Sequence, residues 1–141
     1  MDSIVKSASA LIDELSAEHA ELLPEIEKLM NLATVNAPAL HAVVGQIADR
    51  IGAALDDHIA QEDKVLFPAY AEAAGNSGLV DQFTAEHREI LGVRDALLAE
   101  HRAGGDSSKL GGIALRFADL LTSHMTREDM MLFPTVRDAL G

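Results

Sequence analysis

Apolar side chains recur at helical spacing, every third or fourth residue, through four long segments of the chain. The first runs through Ile4, Leu11, Ile12, Leu15, Leu22, Ile26 and Leu29, and the second through Val44, Ile47, Ile51, Leu55, Ile59 and Leu66. The third carries Leu79, Val80, Phe83, Ile90, Leu91, Leu97 and Leu98, the fourth Leu110, Ile113, Phe117, Leu120, Leu121 and Leu132. Helix breakers stand between them: Asn36-Ala37-Pro38, Gly75-Asn76-Ser77-Gly78 and Gly104-Gly105-Asp106-Ser107. Short connections between long helices make sequential helices antiparallel neighbours. The pattern therefore predicts an all-α fold, an antiparallel up-down-up-down four-helix bundle forming a single domain over residues 1–141. Pro24, Pro68 and Pro134 fall inside or near the ends of these segments, so kinks or terminations are expected there.

The chain also repeats itself. Ser16-Ala17-Glu18-His19-Ala20-Glu21-Leu22 matches Thr84-Ala85-Glu86-His87-Arg88-Glu89-Ile90 at a spacing of 68 residues. His58-Ile59-Ala60-Gln61-Glu62-Asp63-Lys64-Val65-Leu66-Phe67-Pro68 aligns with His124-Met125-Thr126-Arg127-Glu128-Asp129-Met130-Met131-Leu132-Phe133-Pro134 at a spacing of 66. The bundle is thus expected to consist of two repeated helical hairpins. Beyond apolar positions, the halves share one histidine on the first helix and His-x-x-x-Glu on the second.

In an antiparallel hairpin, residues equidistant from the turn lie at one level. The midpoint of His19 and His58 falls beside Pro38, and that of His87 and His124 between Gly105 and Asp106, both in predicted turns. His58 and Glu62, like His124 and Glu128, are one turn apart and continue the apolar stripe of their helix. Four imidazoles and two carboxylates are therefore expected to meet in the core. A buried, unpaired carboxylate costs several kcal/mol or gives up its charge, and no inward-facing Lys or Arg occurs in that layer. The alternative is a buried network in which charged imidazoles balance the carboxylates, but six polar residues matched by repeat, level and face favour a metal. Donors restricted to N and O favour iron or manganese, with zinc possible. The set differs from the four-carboxylate, Glu-x-x-His arrangement of ferritin-like sites. Fewer anionic ligands should favour binding or sensing small oxidants over hydroxylating C–H bonds.

On these residues the chain resembles the hemerythrin-like, or HHE cation-binding, family over nearly its whole length. The match is carried by His19, His58-x-x-x-Glu62-Asp63-x-x-Leu66-Phe67-Pro68, His87 and His124-x-x-x-Glu128-Asp129-x-x-Leu132-Phe133-Pro134. The resemblance implies two iron ions with a bridging oxo or hydroxo group. It also implies Glu62 and Glu128 as bridges, His19 and His58 on one iron, and His87 and His124 on the other. The oxygen-carrying hemerythrins have a further histidine where this chain has Leu91, so their five-histidine site is not expected. The four-histidine set is more similar to bacterial iron–sulfur-centre repair proteins, an iron-sensing F-box subunit and mycobacterial peroxide- and nitric-oxide-associated relatives. Asp129 has the spacing of the bridging aspartate in the oxygen carriers and is the alternative to Glu128, although its duplicate Asp63 weighs against it.

Composition narrows the partners. With 48% hydrophobic and 4% aromatic residues, and few β-branched runs, the chain favours helix. A formal charge of −12 disfavours nucleic acid and anionic membranes. The absence of cysteine removes disulfides, thiolate zinc sites and cysteine nucleophiles. No signal-peptide pattern or long apolar run is seen, and the cytoplasm is the expected location. No phosphate-binding glycine motif or nucleophile elbow occurs. His41 and His101 have no counterpart in the other half and read as surface residues. Glu18, Glu21, Glu86 and Glu89 read as a solvated acidic face rather than as partners of the histidines. Met125, Met130 and Met131 read as core filler, with a Met lining an oxidant channel as the alternative. Tyr70 lies two turns past Glu62 and is left without a role.

The expected function is binding, sensing or reduction of a small diatomic or peroxide ligand (O2, NO or H2O2), with peroxide decomposition or nitric-oxide chemistry as the enzymatic forms. The competing expectation is iron storage, delivery or sensing, including repair of iron–sulfur centres, in which metal occupancy controls stability.

Overall fold

A computed structural model describes residues 2–34, 39–104 and 107–140. The predicted turns at Asn36-Ala37-Pro38 and Gly105-Asp106 lie outside the described residues, as do the side chains of Ile4 and Ile51. The fold is all-helical. Helix α1 spans Asp2–Thr34, α2 Leu40–Gln61, α3 Phe67–Ala74, α4 Gly78–Arg102, α5 Ser107–Arg127 and α6 Phe133–Leu140. A π-helical turn, Glu62–Leu66, joins α2 to α3, and a second, Glu128–Leu132, joins α5 to α6. Backbone angles stay helical through both junctions, so each trio is one continuous rod with a widened turn in its middle.

The prolines explain those widened turns. Proline has no N–H for the carbonyl four residues back, and its ring crowds that carbonyl. Just before Pro68 and Pro134 the chain changes to bonds spanning five residues, from the N–H of Phe67 to the Glu62 carbonyl and from Phe133 to Glu128. The helices neither end at these prolines nor at Pro24, which lies inside α1. Of the kinks or terminations expected at the three prolines, no termination occurs: the chain widens a turn just before two of them and runs on through the third. The Gly75 break does end α3, with glycine in the left-handed region (φ 78°) and its N–H bonded to the Ala71 carbonyl.

Helix α1 packs on α2 and α5, and α4 packs on the same two; α3 and α6 pack on each other beyond the π turns. Two apolar clusters result. The larger includes Leu22, Ile26, Leu29, Val44, Leu55, Ile90, Leu97, Phe117 and Leu121, and the smaller Ile12, Leu15, Leu66, Phe67, Phe83, Leu132, Phe133 and Val136. At about 1.5–3 kcal/mol for each large buried side chain, both are substantial. The polar layer separates them, because His19 follows Leu15 and precedes Leu22, and His58 and Glu62 lie between Leu55 and Leu66.

The π turns also re-aim the residues within them. Met130 and Met131 are 78% and 43% exposed, and Val65, the counterpart of Met131, is exposed too. The reading of these two methionines as core filler is therefore corrected; an extra residue in the turn carries them outside before Leu132 returns to the core. Tyr70 packs against the smaller cluster. Among the described residues, no helix is long and apolar enough to cross a membrane.

Candidate metal centre

The chain brings His19, His58, Glu62, His87, His124 and Glu128 together, all buried, with both glutamates fully enclosed. Each comes from a separate turn of helix: His19 from α1, His58 from α2, His87 from α4, His124 from α5, and the glutamates from the first residues of the two π turns. The imidazoles meet in pairs. His19 Nε2 lies 3.1 Å from His58 Nε2, and His87 Nε2 lies 3.1 Å from His124 Nε2. Two nitrogens held about 2.1 Å from one ion, at right angles, are about 3 Å apart.

Glu128 reaches both pairs with different oxygens. Its Oε1 is 3.1 Å from His19 Nε2 and 3.8 Å from His58 Nε2, while Oε2 is 3.3 Å from His124 Nε2 and 4.0 Å from His87 Nε2. Glu62 Oε1 is 3.0 Å from His87 Nε2 and 3.6 Å from His58 Nε2. Despite these distances, all four carboxylate oxygens are buried without a hydrogen-bond partner of acceptable geometry. Close atoms that fail to align with one another are what lone pairs aimed at a common third point produce. Among the described residues, two sets of donors lie close enough together to hold a metal ion: Glu62, His87, His124 and Glu128, and His19, His58 and Glu128.

Outside this centre, carboxylates face the other ring nitrogens. Asp129 takes His19 Nδ1 at 3.1 Å and Asp63 takes His87 Nδ1 at 2.8 Å, each across the two halves of the chain. Ser16 donates to Asp129, and Thr84 makes the matching, longer contact with Asp63. Glu86 Oε1 accepts from His124 Nδ1 at 2.8 Å and also from Arg127. Glu18 Oε2 stands 3.6 Å from His58 Nδ1. A carboxylate behind an imidazole keeps the proton on Nδ1 and turns the Nε2 lone pair toward a metal. Rings support the same poses: Phe133 stacks on His19 and Phe67 on His87, so each Leu-Phe-Pro segment braces a histidine of the opposite half.

The sequence pattern puts Glu18 and Glu86 on a solvated face. The structure corrects this for Glu86, which bonds His124; Glu18 is half-buried and faces His58 without bonding it, whereas Glu21 and Glu89 are exposed as expected. The signal was available, since Glu18 and Glu86 each precede the repeated histidine and Asp63 and Asp129 each follow the repeated glutamate. Asp129, the alternative bridge, sits behind His19 rather than between the histidine pairs. His41 and His101 are also corrected. They are half-buried and stack on each other 4.4 Å apart, and Gly45 leaves the room that the His101 ring takes up.

Proton energetics reflect the crowding. Burial, and then the charge of Glu128, pushes the Glu62 carboxyl well above the usual range. Burial acts upward on Glu128 as well, but Glu62, His124, His19 and His58 outweigh it and hold Glu128 well below. The two carboxyls are thus driven apart, Glu62 toward its neutral form and Glu128 toward its charged one. His19 and His124 are raised: burial opposes their charge, but Glu128 with Asp129 or Glu86 overcomes it. His87 is lowered by burial and then by the charge of His124.

The family model described as the hemerythrin HHE cation binding domain matches residues 10–137. The chain belongs to this family. No curated protein and no solved structure shows a match to the chain. The hemerythrin-like match covers both His-x-x-x-Glu motifs and all six centre residues, and binding of metal cations is the property the family description carries.

Proposed function

We propose that this hemerythrin-like chain is a non-haem di-iron protein that binds, senses or reduces a small oxidant: O2, NO or H2O2. The observation that carries the proposal is the position of Glu128 in both donor sets, one oxygen toward each histidine pair. His19 and His58 would hold one ion and His87 and His124 the other, with Glu128 common to both donor sets and Glu62, which faces His87 and His58, as the second shared carboxylate. Donors without thiolate suit iron ahead of zinc, and manganese is the next alternative. Ions bound there would supply redox chemistry toward a small oxidant.

Ligand size follows from the surroundings. A cavity of about 10 Å³ adjoins the four histidines and Glu128, walled by Leu22, Leu55, Ile59, Ile90, Leu121 and Met125. That is room for about one water-sized molecule. An apolar wall admits a small neutral species and rejects bulky or charged ones. Met125, read as core filler, is buried and also lines this space.

The packing of α1 and α4 each against α2 and α5 supports the arrangement of an up-down-up-down four-helix bundle formed as one domain. The acidic balance of the chain argues against nucleic acid and anionic lipid as partners. A second reading, metal sensing or iron delivery, is favoured by the polar layer between two apolar clusters: removing the ions leaves enclosed carboxylates there, which couples occupancy to stability.

The test is the visible spectrum of iron-loaded, anaerobically reduced protein on adding oxygen and, separately, peroxide. A new absorption that disappears when oxygen is removed identifies a reversible binder or sensor; irreversible oxidation with catalytic loss of peroxide identifies a peroxide-consuming enzyme. Absence of any iron-dependent absorption change with either oxidant refutes the oxidant reading.

A further inference from the structure

The internal repeat makes the two halves of the centre comparable residue by residue, and they are not equal. Contacts that cross between halves are matched: Asp129 and Phe133 on His19 correspond to Asp63 and Phe67 on His87. Contacts within each half are not. In the second half, Glu86 accepts from both His124 Nδ1 and Arg127, and the Arg127 guanidinium lies over the Phe83 ring, 5.5 Å from its centroid. Phe83 in turn presents an edge-on contact to His124 at 5.5 Å. In the first half the counterpart of Arg127 is Gln61, which turns away to bond Asp57. Leu15 stands where the second half has Phe83. Glu18 then remains 3.6 Å from His58, and both Glu18 Oε2 and His58 Nδ1 are shielded from solvent without a hydrogen-bond partner.

We propose that the two metal positions are unequal, and that Arg127, by fixing Glu86 behind His124, makes the His87–His124 position the tight one while the His19–His58 position exchanges its metal. This rests on the di-metal reading above. A histidine whose Nδ1–H is bonded to a fixed carboxylate presents its Nε2 lone pair in one orientation and one tautomer. A histidine without that partner must be ordered as the metal binds. Outer partners of this kind are worth about 10–100-fold in metal affinity. Arg127 is half-exposed, so its part is to position Glu86 rather than to add charge to the centre. It touches none of the donor atoms; it acts through Glu86 and His124.

The experiment follows iron itself. Fe(II) is added anaerobically in one and then two equivalents, observed by Mössbauer spectroscopy with ⁵⁷Fe, and its release into excess chelator is timed in wild type, Arg127→Gln and Arg127→Lys. Wild type should show one quadrupole doublet at one equivalent and a second at two, and should release iron in two phases of equal amplitude. Arg127→Gln, which copies the first half, should speed the slow phase by about tenfold and leave the fast phase alone, and Arg127→Lys should recover part of the loss. The melting temperature of metal-stripped Arg127→Gln should match wild type within a few degrees, which separates positioning from general loosening. Release of both ions in one phase, or equal acceleration of both phases in Arg127→Gln, would overturn the inequality while leaving the di-metal reading intact. Failure of wild type to retain iron would overturn both.

Discussion

Replacing Glu62 by Gln should stabilise the metal-stripped protein and destabilise the metal-loaded one. The carboxyl is fully enclosed, and burial together with Glu128 holds its pKa well above the usual 4.5. A group raised in the folded state contributes stability that is complete below its unfolded pKa and is lost as the pH rises toward the folded one. Holding that proton in the folded chain while the unfolded chain releases it costs about 1.4 kcal/mol for each pH unit above the unfolded pKa, until the folded pKa is reached. Gln has the same shape, carries no such cost and offers an N–H to Glu128. For a chain of this size each 1 kcal/mol gained corresponds to roughly 2–4 °C in melting temperature, so the gain should be clear at pH 7 and should shrink toward zero at pH 5. With metal the order reverses. Binding at a thousand times Kd stabilises wild type by about 4 kcal/mol, and Gln, with one weak oxygen donor, forfeits most of that. The assay is thermal unfolding followed by circular dichroism, with and without Fe(II), at both pH values. If metal-stripped Glu62→Gln melts below wild type at pH 7 with no narrowing at pH 5, the carboxyl is not held protonated. Equal metal stabilisation of both proteins would remove Glu62 from the ligand set.

Glu128→Ala should abolish iron binding at both positions, since its two oxygens face different histidine pairs, whereas His41→Ala should retain two equivalents; metal analysis of the purified variants decides. Met125→Phe should keep both irons but slow the spectral response to oxygen, because the larger side chain fills the cavity beside the histidines; an unchanged rate would detach that cavity from ligand access. Gly45→Ala places a Cβ 2.9 Å from the His101 ring, so the helix-propensity gain of about 1 kcal/mol should appear in full only alongside His101→Ala, as a double-mutant unfolding cycle would reveal. Additive effects in that cycle would show that the ring shifts without cost.

The helices, their apolar stripes and the convergence of six polar residues were legible in the sequence. Period and repeat are local properties, and a carboxylate on an apolar stripe announces itself by what it would cost unpaired. Pro68 and Pro134 were legible as irregularities but not as π turns. Whether a proline ends, kinks or widens a helix depends on what holds the chain beyond it, here the packing of α3 against α6. That choice set Met130 and Met131 outside and Leu132 inside, which an unbroken 3.6-residue period could not reveal.

The sequence by itself determined which residues are chemically conspicuous: four histidines and two glutamates, each duplicated at matching positions. Only the tertiary structure decided their partners. Glu86 and Glu18 carry the same repeat position and the same charge, yet one is bound by His124 and Arg127 while the other stops short of His58. The stacked pair of His41 and His101 joins helices far apart in the chain. Hydrogen bonds and ring contacts fall off within an ångström or two. They depend on where separate helices bring their side chains, and no periodicity along a single helix encodes that.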